Sequence, residues 1–252
     1  MPRFFLEIAY DGTLYHGWQL QPGVDTVQKE IEAALTKLNS NERVPTLGCG
    51  RTDTGVHARQ FFLHFDMADL PGGEELFVFK LNRMLSPSIS VYGVTQVGDH
   101  ANARFDATSR TYEYHIHQHK LPFLHNRSWN LWHPLDVDKM NTAAALLLSH
   151  RDFASFQKTG GGAKTSICHV MKAQWEQNGD RLVFTIQADR FLRNMVRAIV
   201  GTLVQVGLGR LSVEEFQAII FAGERSEASD SAPGCGLYLT KVTYPYLRET
   251  DR

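Results

Sequence analysis

Residues 48–58 read GCGRTDTGVHA, and this stretch governs the interpretation of the whole chain. Its glycines and threonines exclude a regular helix, while residues 44–49 and 59–66 are extended, so the pattern predicts strand, loop, strand. Glycines permit tight turns and a close ligand approach, and Arg51 and His57 are near enough in sequence to bias the charge of Asp53. An Asx turn that closes the loop is the simpler explanation of Asp53 taken alone. The loop by itself therefore leaves a structural and a functional aspartate open.

The pattern on both sides of this loop predicts an α+β fold, with mostly antiparallel strands and helices between them. Two halves of similar content predict domains at residues 1–105 and 106–252. Further strands are predicted at residues 3–10, 89–97, 110–119, 166–175, 181–188 and 236–244. Helices are predicted at residues 74–85, 136–150 and 191–206. A further helix is predicted to begin after a cap at Asp25 or Thr26, with Gln28 in a capping box, and to end at residue 39. The last helix is predicted to begin after a capping box of Ser212 and Glu215 and to end at residue 222.

Composition excludes several classes of protein. The chain has 252 residues, 43% of them hydrophobic, and 26 Lys and Arg against 27 Asp and Glu give a formal net charge of −1. A strongly basic nucleic-acid binder is excluded, so any site for a polyanion has to be local. Three cysteines without a CxxC pair exclude a disulfide framework and a cysteine-rich zinc module. No signal peptide or membrane segment is recognisable, which predicts a soluble cytoplasmic protein.

Three arginines in the second half follow a helical spacing. Arg190, Arg193 and Arg197 are three and four residues apart, so the helix predicted there places them on one face. Such a stripe would clamp phosphate or carboxylate groups, although a solvated helix face explains the same spacing. The apolar residues around them favour partial burial, and a buried arginine requires an anionic partner.

Two tyrosines alternate on the strand predicted at residues 110–119. Tyr112 and Tyr114 point the same way, next to Arg110. Aromatic rings beside basic residues suit stacking on an unpaired base, and burial in the core is the alternative.

Three other patterns imitate functional sites. His115, His117 and His119 share a strand face without a nearby carboxylate, so we predict no metal site. Residues 160–165 read GGGAKT, which lacks the glycine pattern of a phosphate-binding loop, so we predict no ATP site. Cys49 is interpreted as a small buried residue rather than a nucleophile.

The loop at residues 48–58 resembles the catalytic loop of the TruA family of tRNA pseudouridine synthases. Other segments resemble the same family in the same order, so the resemblance covers essentially the whole chain. These segments are YDGTLYHGWQLQP at 10–22, ARFDATSRTYEYHI at 103–116, FLRNMVRAIVG at 191–201 and APGCGLYL at 232–239.

The resemblance implies a pseudouridine synthase fold of two similar subdomains, each with an antiparallel sheet flanked by helices, around a central cleft. It implies a homodimer in which one tRNA touches both subunits, and uridines 38, 39 and 40 of the anticodon stem-loop as substrates. Asp53 matches the essential aspartate, Tyr112 the tyrosine that stacks on the target base, and Arg197 the arginine that pairs with the aspartate. Arg51 and Arg193 are expected to contact tRNA.

Isomerising uridine to pseudouridine breaks the N-glycosidic bond and joins carbon 5 to the ribose without a change of oxidation state. The reaction therefore requires no ATP, redox cofactor or metal. A paired base is inaccessible, so the uridine is expected to flip out of the helix. Whether Asp53 adds covalently or removes a ribose proton stays open at this point.

Three other functions fit parts of the pattern. A synthase of the same fold could act on other RNA or other tRNA positions. A non-catalytic RNA-binding or chaperone protein could keep the cleft, although intact Asp53, Tyr112 and Arg197 argue against it. A metal-dependent nuclease or hydrolase using Asp53 and the histidines is the third.

Overall fold

The computed structural model describes residues 1–158, 160 and 164–247, which form five α-helices and nine strands. The elements in chain order are β1 (Arg3–Tyr10), α1 (Val27–Leu38), β2 (Leu47–Gly48), β3 (His57–Asp66), α2 (Gly73–Met84), β4 (Ile89–Val97), β5 (Ser109–His117), β6 (Trp129–Asn130), α3 (Val137–Ser149), β7 (Val170–Asn178), β8 (Arg181–Ala188), α4 (Met195–Gly207), α5 (Val213–Ala222) and β9 (Leu237–Thr243). The predicted α+β class is confirmed.

The chain forms two compact units. The first contains Met1–Thr108 and Leu239–Arg252, and the second contains Ser109–Tyr238. The division falls close to the one predicted at residue 105, but the return of the chain's end to the first unit has no counterpart in the predicted domains. Subdomains arranged around a cleft stay a prediction.

In the first unit the strands follow the order β4, β1, β3, β9, and β1 is antiparallel to both β3 and β4. β2 adds a two-residue pairing to β3. Aromatic residues of β1 and β3 form the core here, including Phe5, Phe61 and Phe65, which are at most 1% exposed. Phe77 of α2 stacks on Phe65 with ring centroids 6.1 Å apart.

In the second unit β8 is antiparallel to both β5 and β7, and β6 runs parallel to β5. β7 and β8 form a hairpin with a tight turn at Gly179 and Asp180, where Gly179 has the positive φ of 57° that such a turn requires. The core is again aromatic, and Trp175 of β7 stacks on Phe184 of β8 with centroids 4.9 Å apart.

Helix ends follow the predicted caps in two of three cases. Ser212 and Glu215 form the complete capping box of α5, as predicted. Thr26, one of the two predicted caps, accepts the Lys29 N–H at the start of α1. The predicted role of Gln28 in a capping box is wrong, because its side chain instead accepts the Leu20 N–H at 3.0 Å.

Helix α4 begins four residues later than predicted. Asn194 adopts the left-handed conformation with φ 65°, so the backbone before Met195 is not helical. The Asn194 side chain donates to the Ser231 hydroxyl at 2.5 Å, which fixes this conformation. Within the described residues, no helix is long and apolar enough to cross a membrane.

Candidate active-site loop and its partners

Asp53 lies on the loop between β2 and β3 and is half-buried. The Val56 N–H donates to the Asp53 carbonyl oxygen at 3.2 Å, and Gly55 between them has a φ of 73°. The loop is therefore a tight turn that only glycine accommodates easily at position 55. Arg51 is exposed on the same loop.

The segment from Tyr10 to Trp18 holds this turn in place. The Trp18 N–H donates to the Thr52 carbonyl oxygen at 3.2 Å, and the Gly55 N–H donates to the Tyr15 carbonyl oxygen at 3.3 Å. The buried hydroxyls of Tyr10 and Thr52 are 2.9 Å apart. Asp53 thus lies between two residues whose backbones are bonded to a neighbouring segment.

Two glycines allow that segment to approach so closely. A Cβ at Gly12 would lie 2.0 Å from the Val56 carbonyl oxygen, and a Cβ at Gly17 would lie 2.3 Å from the Thr52 carbonyl oxygen. Neither position accepts a side chain without displacing the loop. Both glycines lie in the segment YDGTLYHGWQLQP at residues 10–22, but their contact with the Asp53 loop cannot be read from the sequence.

His57 fixes the far end of the loop from a buried position. Its Nδ1 accepts the Gly12 N–H at 3.1 Å. The Asp11 carboxylate oxygen lies 3.2 Å from the same nitrogen and accepts the Thr13 N–H at 3.0 Å. His57 therefore acts here as a structural partner of the Tyr10–Trp18 segment.

A second layer of hydrogen bonds anchors that segment through Tyr15. The Tyr15 hydroxyl donates to the Glu30 carboxylate at 2.6 Å and lies 2.8 Å and 3.0 Å from the hydroxyls of Ser86 and Ser88. Burial, and next the bond to Glu30, raise the pKa of Tyr15 above its usual value. The phenol therefore stays protonated and keeps its hydrogen to donate.

Tyr112 lies on β5 in the second unit, opposite Ile186, and is 8% exposed. The ring of Phe191 packs against it edge to face, with centroids 5.1 Å apart and planes at 89°. This contact fixes the plane of the Tyr112 ring.

Arg197 lies on α4 in the same unit and is half-buried. Its Nε donates to the Ala232 carbonyl oxygen at 2.7 Å, while the Ala232 N–H donates to the Arg197 carbonyl oxygen at 2.9 Å. The reciprocal bonds tie the APGCG segment to α4. Burial raises the pKa of Tyr114 well above its usual value, and the charge of Arg197 opposes that shift.

The predicted stripe of three arginines is wrong. Arg190 and Arg193 precede α4, so only Arg197 is helical. Arg193 is exposed, and its carbonyl oxygen accepts the Lys158 N–H at 3.1 Å. The helical spacing failed because the chain turns at Asn194.

The structure places the histidines, Cys49 and part of the glycine-rich stretch, the three patterns that resemble functional sites in the sequence. The expectation that no carboxylate lies near these histidines is wrong, because His115 Nε2 is 2.9 Å from the Glu113 carboxylate. The buried His117 leaves Nδ1 without a hydrogen bond. The described residues contain no group of three or more His, Cys, Asp or Glu able to hold a metal. Cys49 is buried, as predicted. Residues 161–163 of the glycine-rich stretch lie outside the described residues.

The class of this protein follows from its similarity to a family model and to curated proteins. A family model described as tRNA pseudouridine synthase matches residues 143–245. Three curated proteins called tRNA pseudouridine synthase A are similar to nearly the whole chain. That of Bacteroides fragilis is 50% identical over 96% of each chain, that of Parabacteroides distasonis 48% over 97% of each, and that of Bacteroides thetaiotaomicron 48% over 97% of this chain and 91% of the relative.

The chain belongs to the tRNA pseudouridine synthase A family, and the resemblance drawn from its motifs is confirmed. A solved structure of an unknown protein from Galdieria sulphuraria aligns at 12% identity with a TM-score of 0.22, too low to bear on the fold.

Proposed function

We propose that the protein isomerises uridine to pseudouridine in tRNA, at positions 38, 39 and 40 of the anticodon stem-loop. The observation that carries this proposal is the 48–50% identity to proteins called tRNA pseudouridine synthase A over at least 96% of the chain. The enzyme works as a cytoplasmic homodimer on a tRNA that touches both subunits.

The reaction rearranges bonds within one nucleotide. The bond between ribose C1′ and uracil N1 breaks, the uracil turns, and a bond forms between C1′ and C5. The C5 hydrogen leaves as a proton and N1 gains one, so atoms and electrons balance without a nucleotide, redox or metal cofactor. The target base reaches the protein by flipping out of the stem-loop, which costs a few kcal/mol.

Asp53 is the catalytic carboxylate in this proposal. Two roles satisfy the balance: covalent addition to the substrate, or removal of a ribose proton that starts cleavage of the glycosidic bond. Support comes from the bonds of Thr52 and Gly55 to the Tyr10–Trp18 segment, since a carboxylate held in advance avoids reorganisation during the reaction.

Tyr112 stacks on the target base and Arg197 pairs with the Asp53 carboxylate. The edge contact from Phe191 holds the Tyr112 ring, and the Nε bond to Ala232 orients the Arg197 guanidinium. A planar guanidinium offers a carboxylate two parallel bonds, which an ammonium does not. The exposed Arg51 and Arg193 contact phosphates of the tRNA.

Tritium release from tRNA labelled at C5 of uridine tests the reaction and the role of Asp53 together. We expect release by the wild type without added nucleotide or metal, and none by Asp53→Asn. Asp25→Asn is the matched control, since Asp25 is exposed and pairs only across the surface with Lys29 at 2.9 Å. Mapping the modified positions tests the choice of uridines.

Binding of tRNA separates catalysis from structure. We expect Asp53→Ala to bind tRNA as the wild type does, because phosphate contacts supply most of the affinity. A wild type that binds tRNA but releases no tritium refutes the proposed activity. A folded Asp53→Asn that still releases tritium refutes the role of Asp53.

A further inference from the structure

The loop between β4 and β5 presents an aromatic ring to solvent. Phe105 is 75% exposed, and the guanidinium carbon of the exposed Arg104 lies 5.7 Å from the centre of its ring. Both residues belong to the ARFDAT segment, to which the proposed reaction gives no role. A cation beside an exposed aromatic ring is a combination suited to nucleic acid.

The backbone beneath the ring is closed by its own hydrogen bonds. The Asn102 side-chain oxygen accepts the N–H groups of Arg104 and Phe105 at 3.0 Å and 3.1 Å. The Asp106 carboxylate accepts the Asn102 N–H at 2.8 Å, and the Asp106 N–H returns to the Asn102 carbonyl oxygen at 3.0 Å. Phe105 therefore extends from a fixed turn.

Side chains from other segments of the first unit anchor this turn. Ala103 is fully buried, with its N–H bonded to His64 Nδ1 at 3.1 Å and its carbonyl oxygen to the Tyr244 hydroxyl at 2.5 Å. The Tyr246 hydroxyl donates to the Asp106 carboxylate at 2.7 Å. The bond from the Asn102 N–H, and next the bond from Tyr246, lower the pKa of Asp106 below its usual value, which favours the charged carboxylate that accepts both bonds.

Because the Phe105 ring is exposed to water, it does not contribute the favourable free energy that burial of an aromatic side chain would give. A rigid backbone turn beneath the ring favours ligand binding, because a side chain that is already held in place loses little conformational entropy on binding. Phe123 is more exposed, at 89%, but lies on a three-residue helical turn that has no side-chain cap. The two phenylalanines therefore differ in what supports them, which makes Phe123 a matched control.

We propose that Phe105 stacks on an unpaired base of the RNA substrate while Arg104 contacts a neighbouring phosphate. The proposal rests on the proposed function, which supplies an RNA with unpaired loop bases. Stacking on one aromatic ring tolerates any base, since every base has a π face. The Phe105 loop thus contributes affinity for single-stranded RNA beyond the contacts of the reacting uridine.

Binding of unmodified tRNA measured by filter retention tests the proposal. We expect Phe105→Ala to raise the Kd by about 5- to 150-fold, the range for loss of one base–aromatic stack. Phe105→Trp retains the affinity because it keeps a π face, whereas Phe105→Leu does not. Phe123→Ala binds as the wild type does. Arg104→Gln lowers the slope of log Kd against log salt by about 1.

Three results overturn the proposal. If Phe105→Ala binds tRNA with the wild-type Kd, Phe105 makes no stacking contact. If Phe105→Leu binds with the wild-type Kd, the contact needs only an apolar side chain and not an aromatic ring. A change of molar mass by light scattering in Phe105→Ala assigns the ring to an interface between copies of the chain. Tritium release by the wild type in the same samples keeps these results separate from failure of the proposed reaction.

Discussion

Replacing Gly17 by alanine tests whether the close approach of the Tyr10–Trp18 segment positions Asp53. Gly17 and Gly23 both adopt left-handed backbone, with φ of 88° and 76°. Alanine at either position costs about 1–2 kcal/mol for the strained backbone alone. Gly23→Ala is therefore a control that carries the same conformational cost.

The two positions differ in what a side chain meets. A Cβ at Gly17 would lie 2.3 Å from the Thr52 carbonyl oxygen, whereas a Cβ at Gly23 meets nothing within 4 Å. A carbon–oxygen contact needs about 3.3 Å, so the residue preceding Asp53 has to shift by about 1 Å. A displacement of that size is expected to lower kcat by about 100-fold.

Steady-state tritium release and urea unfolding of both variants provide the assay. We expect Gly17→Ala to lose kcat with little change in KM for tRNA, and Gly23→Ala to keep both values. Both variants lose unfolding free energy. Equal kcat values in the two variants would refute the positioning argument, because both carry the same backbone strain and only Gly17→Ala brings a side chain against residues 52 and 53.

Three further predictions concern stability and pH. Tyr15→Phe removes the hydroxyl that donates to Glu30 and is expected to lower the unfolding free energy by about 1–3 kcal/mol, measured in urea. Ser212→Ala removes the cap of α5 and is expected to cost about 1 kcal/mol in the same assay. Burial lowers the pKa of His64 below its usual 6.5, so the unfolded chain binds more protons and stability falls as pH drops below 6.5. Unfolding of the wild type and His64→Asn across this range measures that contribution.

Each of these predictions has a result that contradicts it. An unchanged midpoint and slope for Tyr15→Phe would mean that the hydroxyl network adds nothing to stability. Unaltered stability of Ser212→Ala would show that water replaces the cap. The same pH dependence in wild type and His64→Asn would assign the acid sensitivity to other groups.

Local signals predicted much of the fold. Alternation defined β1 and β8 to the residue, and the Ser212 and Glu215 pair defined the start of α5. Each of these signals lies within one segment of chain. Partners far along the chain decided the rest: Asn194 bonds to Ser231, so α4 begins at Met195 and the arginine stripe does not form.

The candidate site divides in the same way. The composition around Asp53 was visible in the sequence, because residues 48–58 contain three glycines and two threonines beside Arg51 and Asp53. Its supports were hidden, since Gly12 and Gly17 meet the loop about 40 residues away, and no periodicity encodes that contact. The turn that carries Phe105 was equally hidden, because its anchors His64 and Tyr244 are far from it in the sequence.

The position of β9 has a consequence for how the protein is made. β9 lies beside β3, and the Val242 N–H donates to the Gln60 side chain at 2.9 Å, so the sheet of the first unit is completed by the end of the chain. During synthesis residues 109–236 leave the ribosome before β9 does, and until then the part of the β3 edge that β2 does not pair has no partner strand. An uncovered edge invites pairing with other chains. The first unit therefore depends on β9 to cover this part of β3, and a protein made of residues 1–108 alone would leave it exposed to pairing with other chains.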